Sequence, residues 1–168
     1  SFVGSIDNVS VKEVGQNWTL SSGTSITALG ARITHTPTAG TAGQGALVIG
    51  QNYKFTYEIT ESISGSLKIN SAVDTSMVTS VGTHTKYFKA DGATFSLSRT
   101  NSTSNDVTIT NISLEEVGQE WILSDGCSIT AQGARITSDG TYQDILQSNA
   151  LVIGDTYEME YEITESVS

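Results

Sequence analysis

The 168 residues carry 8 Lys and Arg against 18 Asp and Glu, a formal net charge of −10. An acidic chain lacks the basic stripe that displaces counterions from phosphates, so nucleic-acid binding is set aside. The one cysteine excludes an internal disulfide framework or a thiolate metal cluster, and no apolar run approaches the ~20 residues of a membrane span.

Ser, Thr, Gly, Asn, Val and Ile dominate, the vocabulary of strands and polar turns. In chain order, GSIDNVSVKEV (4–14) reads as a strand with a bulge near Asp7-Asn8. Trp18 and Leu20 share a face, and Ser21-Ser22-Gly23 closes that strand in a turn. SITALGARIT (25–34) is a strand pair around Leu29-Gly30, with Ile26 and Ile33 turned to the core. HTPTAGTAGQG (35–45) reads as a surface loop. YKFTYEIT (53–60) alternates most clearly: Tyr53, Phe55, Tyr57 and Ile59 face the core, and Lys54, Thr56, Glu58 and Thr60 face out. Short strands follow at 66–70, 83–90, 93–100 and 107–117, separated by turns at Ser64-Gly65, Val81-Gly82 and Asp91-Gly92. Short strands at this spacing without helices mean an all-β sandwich or barrel.

The chain also repeats itself. Residues 6–34 match 109–137 at 20 of 29 positions, and after one inserted residue 46–64 match 150–168 at 13 of 19. The repeat of about 103 residues parses the chain into three parts. Residues 1–14 correspond to the final strand of a preceding module, 15–117 to a complete β-sandwich module, and 118–168 to the first half of the next. A half-module exposes an apolar face and unpaired edges. Two arrangements are expected from this: the 168 residues are an excerpt of a longer array, or strand exchange lets residues 1–14 of one chain complete 118–168 of the next, building a filament.

The order of elements carries a resemblance. An early Trp, the G-x-x-Y strand in LVIGQNYKFTYEIT, the GTHTKYFKA hairpin, the ATFSLSRT strand and a closing IDNVSV or ITNISL strand resemble the carbohydrate-binding-module type of jelly roll, related to galactose-binding-like domains. SIDNVSVKEV also resembles modules strung along bacteriophage tail-fibre and other virion proteins. The resemblance implies jelly-roll modules in tandem and a structural role in a virion, as a fibre or a shell-decorating protein. Its partners would be copies of itself or other virion proteins. An extracellular carbohydrate-binding or adhesion module, with surface glycans as partners, is the alternative. In such modules an Asp of the closing strand often joins carbonyls around a structural Ca²⁺; Asp7 alone matches that Asp, its counterpart being Thr110. No other cofactor is implied.

The residues suggest no enzyme. His35 and His84 are the two histidines and neither recurs in the second copy, so no Ser–His–Asp set is supported. Gly-x-Gly-x-x-Gly and P-loop motifs are absent, and the neighbours of Glu58 and Glu61 are threonines rather than the aromatics of a glycosidase cleft. Trp18 and Trp121 read as core markers at equivalent, mostly buried places. Tyr87, alternating with Phe88, is the best candidate for a ligand-stacking aromatic. Cys127, where the first copy has Thr24, reads as a small part-buried residue. Charge is uneven: residues 1–100 hold seven basic against six acidic groups, and 101–168 hold one against twelve. Where Lys12 and Lys54 stand, the later copy has Glu115 and Glu158, and Glu158, Glu160 and Glu162 form an acidic row on one strand face. Such a row is expected to meet a basic surface of a neighbouring copy, at Lys54, Lys86 or Lys89.

Overall fold

The computed structural model describes residues 18–35, 40–45, 47–72, 76–100, 104–118, 121–138, 140–148 and 150–166. Thirteen strands are described: β1 (Thr19–Leu20), β2 (Thr24–Thr27), β3 (Gly30–Thr34), β4 (Thr41–Gly45), β5 (Asn52–Ser64), β6 (Leu67–Ile69), β7 (Gly82–Lys89), β8 (Thr94–Arg99), β9 (Asp106–Val117), β10 (Ile122–Leu123), β11 (Cys127–Thr130), β12 (Gly133–Ile136) and β13 (Ile145–Leu146). Among the described residues no helix is long and apolar enough to cross a membrane. The all-β expectation holds, in a β-sandwich-like arrangement of antiparallel sheets.

Two sheets make up the first unit. A five-stranded sheet runs β2-β3-β9-β5-β7, and a four-stranded sheet runs β1-β4-β8-β6. Strand β5 is the longest because its alternation is unbroken over Tyr53, Phe55, Tyr57 and Ile59, all buried. These meet Phe95 and Leu97 of β8, Leu67 and Ile69 of β6, and Ile33, Val107 and Ile109 of the same sheet. The aromatic rings interlock: Phe55 lies 4.7 Å from Tyr57 in a stacked pair and 4.9 Å edge-on from Phe95, and Tyr53 stacks on Phe88. Offset and edge-on ring pairs add to the gain from burial alone.

Two local features differ from the expectation or sharpen it. The stretch read as the loop 35–45 contributes β4, which pairs with β1 and β8. Ala42, which faces the core opposite Leu97, and Gly43, which faces the other way opposite Ser96, are both buried, so no large side chain announces the strand. A Cβ on Gly43 would come within 3.1 Å of the Ser96 side chain, so a larger residue there would need Ser96 to give way by a few tenths of an ångström. The bulge expected near Asp7-Asn8 lies outside the described residues, but its counterpart is present in β9. Register shifts between Thr56 and Glu58, and Asn111 takes a φ of 47°, in the left-handed region that Asn tolerates.

The second copy folds only where its partners are close in sequence. Strand β10 pairs with β13 as β1 pairs with β4, and β11 pairs with β12 as β2 pairs with β3, in matching registers. Cys127 is buried and its thiol donates to the Asp144 carbonyl, the place where the Thr24 hydroxyl donates to the Thr41 carbonyl. Residues 150–166 form no ladder and are exposed throughout.

This overturns half of the tryptophan expectation. Trp18 is partly buried and packs edge-on against Phe95, with centroids 6.2 Å apart. Trp121 is 46 % exposed and is not a core residue. The cause is that Trp18 is held by β8, a strand some 75 residues downstream, and these 168 residues hold no second counterpart of β8.

Candidate functional site

The outer face of the five-stranded sheet gathers the candidate residues of the first unit. Because Phe55 and Tyr57 point inward, Lys54, Thr56 and Glu58 point outward, and the registers of β7 and β9 set their neighbours. Lys54 stands between Tyr87 of β7 on one side and Glu115 of β9 on the other. The Lys54 ammonium lies 3.5 Å from the Glu115 carboxylate in an exposed pair. The next row is Thr85, Thr56 and Ser113, with the two threonine hydroxyls 3.4 Å apart. Beyond it, the bulge turns Asn111 so that its Nδ2 donates to Glu58 Oε2 at 2.6 Å. At the far end Arg32 grips Asp106 with two bonds, Nε to Oδ1 at 2.7 Å and Nη2 to Oδ2 at 2.5 Å. The hydrogen bond from Arg32 holds the Asp106 carboxyl below its usual range, against a smaller opposing effect of burial, and that same bond raises the guanidinium.

Tyr87, the sequence candidate for ligand contact, is partly buried and is placed on this face. Lys54 and Lys89 share the face, whereas Lys86 stands opposite Phe55 on the core-facing side of the edge strand β7. The three lysines therefore do not form one surface. An inward-facing charge on an edge strand discourages further pairing there. Glu158, Glu160 and Glu162 are exposed in a segment without a ladder. Tyr53 and Tyr57 are core residues, and burial pushes the Tyr57 phenol up. Asp7, the Ca²⁺ candidate, lies outside the described residues; its counterpart Thr110 offers no carboxylate.

The chemistry of this face is that of matched polar pairs. Glu58, Glu115 and Asp106 each have a donor. Glu61 accepts from the Thr108 hydroxyl at 3.5 Å. His84 is bonded to the Ser80 carbonyl at 2.7 Å and tilts against Tyr57. Among the described residues no group of three or more His, Cys, Asp or Glu side chains is placed to hold a metal ion. A separate cleft of about 220 Å³ opens between the sheets beside Trp18, Leu20, Ile26 and Ile112. It is apolar and smaller than the ~300–1,000 Å³ usual for small-molecule sites.

Sequence reading missed the Arg32–Asp106 grip, whose partners are 74 residues apart with no spacing signal. It also missed the Asn111–Glu58 bond, although the bulge that aims Asn111 was anticipated in its sister strand. No protein-family model matches the chain, and no curated protein matches it.

Proposed function

We propose that this chain is a non-enzymatic structural component of a phage virion, part of a fibre or a shell decoration built from repeated jelly-roll sandwiches. The observation that carries the reading is the repeat itself: two copies of one sequence, with local ladders in the same registers. A chain that spends its length restating one module gains reach and repeated self-contacts rather than a reactive centre. The face of the first unit is consistent with this role, since its charged groups are matched to one another.

A second reading, an extracellular carbohydrate-binding or adhesion module, is favoured by Tyr87, an aromatic on an open face flanked by Lys54 and Thr85. Two measurements separate them. Electron microscopy of the purified chain is expected to show regular filaments or decorated particles, with no signal on a glycan array. Glycan binding abolished by Tyr87→Ala, without any regular assembly, would overturn the structural reading in favour of adhesion.

A further inference from the structure

The five-stranded sheet of the first unit has two edges, β2 and β7. The second copy repeats β2 as β11, in the same register with its hairpin partner. Strand β11 lies alongside β7, with Cα atoms within 8 Å, and among the described residues no ladder joins the two. The contact therefore sets the first edge of one copy against the last edge of the copy before it. Lys86 opposes a ladder here: it stands on the core-facing side of β7 opposite Phe55, and an inward charge discourages further pairing.

The two hairpins are built alike. Thr27 donates to the Gly30 carbonyl at 3.0 Å, and Thr130 to the Gly133 carbonyl at 2.9 Å. Yet Thr27 is exposed and Thr130 half-buried, so the extra cover on β11 comes from outside its own hairpin. The connection between the copies holds the hairpin in place. Residues 118–121 are all that separate β9 from β10, and the Trp121 amide returns to the Gly118 carbonyl at 3.0 Å. Gly118 takes a φ of 70°, which glycine adopts readily, and a Cβ there would lie 3.0 Å from Ile129 Cγ1. Ile129 of β11 thus packs down on the residue that follows the last strand of the first unit.

We propose that this contact is the joint of the repeat: the β7 edge of each module seats the first hairpin of the module that follows, and so fixes the angle between them. The inference deepens the structural reading and rests on it in taking the array as the working form. Linked domains ordinarily move independently unless their interface is extensive. Here a connection too short to act as a flexible spacer, and a strand laid along the neighbouring edge, both oppose that motion. Because the two edges are opposite sides of the same kind of sheet, the contact is heterologous and can repeat from module to module along the array. At each junction it covers two sheet edges that would otherwise be open to stray pairing. The product is a stiff line of modules with their sheets in series.

Residual dipolar couplings and amide nitrogen relaxation of the 168-residue chain test the joint directly. Amides of the first unit and of β11 and β12 should fit one alignment tensor and tumble with one correlation time. Gly118→Ala, which strains the turn and presses on Ile129, and Ile129→Asp should each remove the common tensor, so that the hairpin tumbles faster than the first unit. In both variants the β11–β12 ladder amides should stay protected from exchange, and the urea midpoint of the first unit should stay unchanged. Should a variant lose its hairpin, the unmutated chain decides the matter by itself. Separate tensors in the unmutated chain, or a common tensor kept by both variants with their hairpins intact, would overturn the proposal. Either result would leave the structural reading standing if microscopy still shows filaments or decorated particles. Glycan binding abolished by Tyr87→Ala, with one tensor for the unmutated chain, would instead sink the structural reading and leave the joint.

Discussion

Residues 52–64 and 156–166 are nearly the same strand written twice, with opposite fates. Tyr53, Phe55, Tyr57 and Ile59 are 4, 0, 1 and 0 % exposed; their counterparts Tyr157, Met159, Tyr161 and Ile163 are 48, 80, 75 and 70 % exposed. Local structure does not separate them. In both copies the Tyr hydroxyl five residues on accepts from the Val amide, Val48 to Tyr53 at 2.8 Å and Val152 to Tyr157 at 2.7 Å. In both the turn closes with the same backbone bond, from Gln51 to Val48 and from Asp155 to Val152, at 3.2 Å. The difference is that β5 is flanked by β7 and β9, each contributed from farther along the chain. Hairpins between near neighbours close cheaply, whereas a strand is buried only when distant partners arrive.

The largest effect should come from supplying those partners. A chain in which residues 65–117 are appended after Ser168 gives the second copy counterparts of β6 to β9. It is expected to gain a second cooperative unfolding unit, of the several kcal/mol usual for a domain, and to move Trp121 emission to shorter wavelength. An appended segment that leaves Trp121 exposed would mean that the two copies differ in kind and not in partners.

Side-chain truncation sharpens the comparison position by position. Phe55→Ala removes a fully buried ring in contact with Tyr57 and Phe95 and should cost about 3–5 kcal/mol by urea denaturation. Met159→Ala, at the matching place, should change the stability of the first unit by less than about 0.5 kcal/mol. Equal costs would show that 156–166 packs in solution.

These contrasts mark how far the sequence could be read. The alternation of 53–60 and the hairpin around Leu29-Gly30 were legible because their signals are local: period two, β-branched residues and a glycine at a positive φ of 132°. Strand β4 was not, because Ala42 and Gly43 bury no large side chain. Trp121 misled for a deeper reason, since a residue's burial belongs to its neighbours, and the partner that holds Trp18, Phe95, is far along the chain. The Tyr87 face was partly legible: alternation put Tyr87 opposite in sense to Phe88, but only register could bring it beside Lys54.

The tryptophans give the next effect in size. Trp18→Ala should cost about 2 kcal/mol, less than a fully buried indole because one side of the ring faces the cleft. Trp121→Ala should leave the unfolding midpoint unchanged. Acrylamide should quench Trp121 more strongly than Trp18, as read from the two single-tryptophan variants, and equal quenching would break the assignment.

The smallest effect concerns acid. Asp106 joins β9 to β3 through Arg32, and the hydrogen bonds from Arg32 depress its pKa below the ordinary 3.8. A carboxyl depressed on folding contributes stability that is fully present above its unfolded value and is lost as pH falls through the folded one. Urea midpoints of the first unit should therefore hold from neutral pH to about 4 and fall below it. Asp106→Asn should lower the midpoint slightly at neutral pH and flatten the acid limb, so that the two curves converge in acid. The second copy offers the contrast: its Arg135 reaches Glu165 instead, between exposed groups, where a surface pair stabilises little. Glu165→Gln should leave the acid limb untouched. An Asp106→Asn curve parallel to the original at every pH would show that the grip is geometric and that its charge contributes nothing.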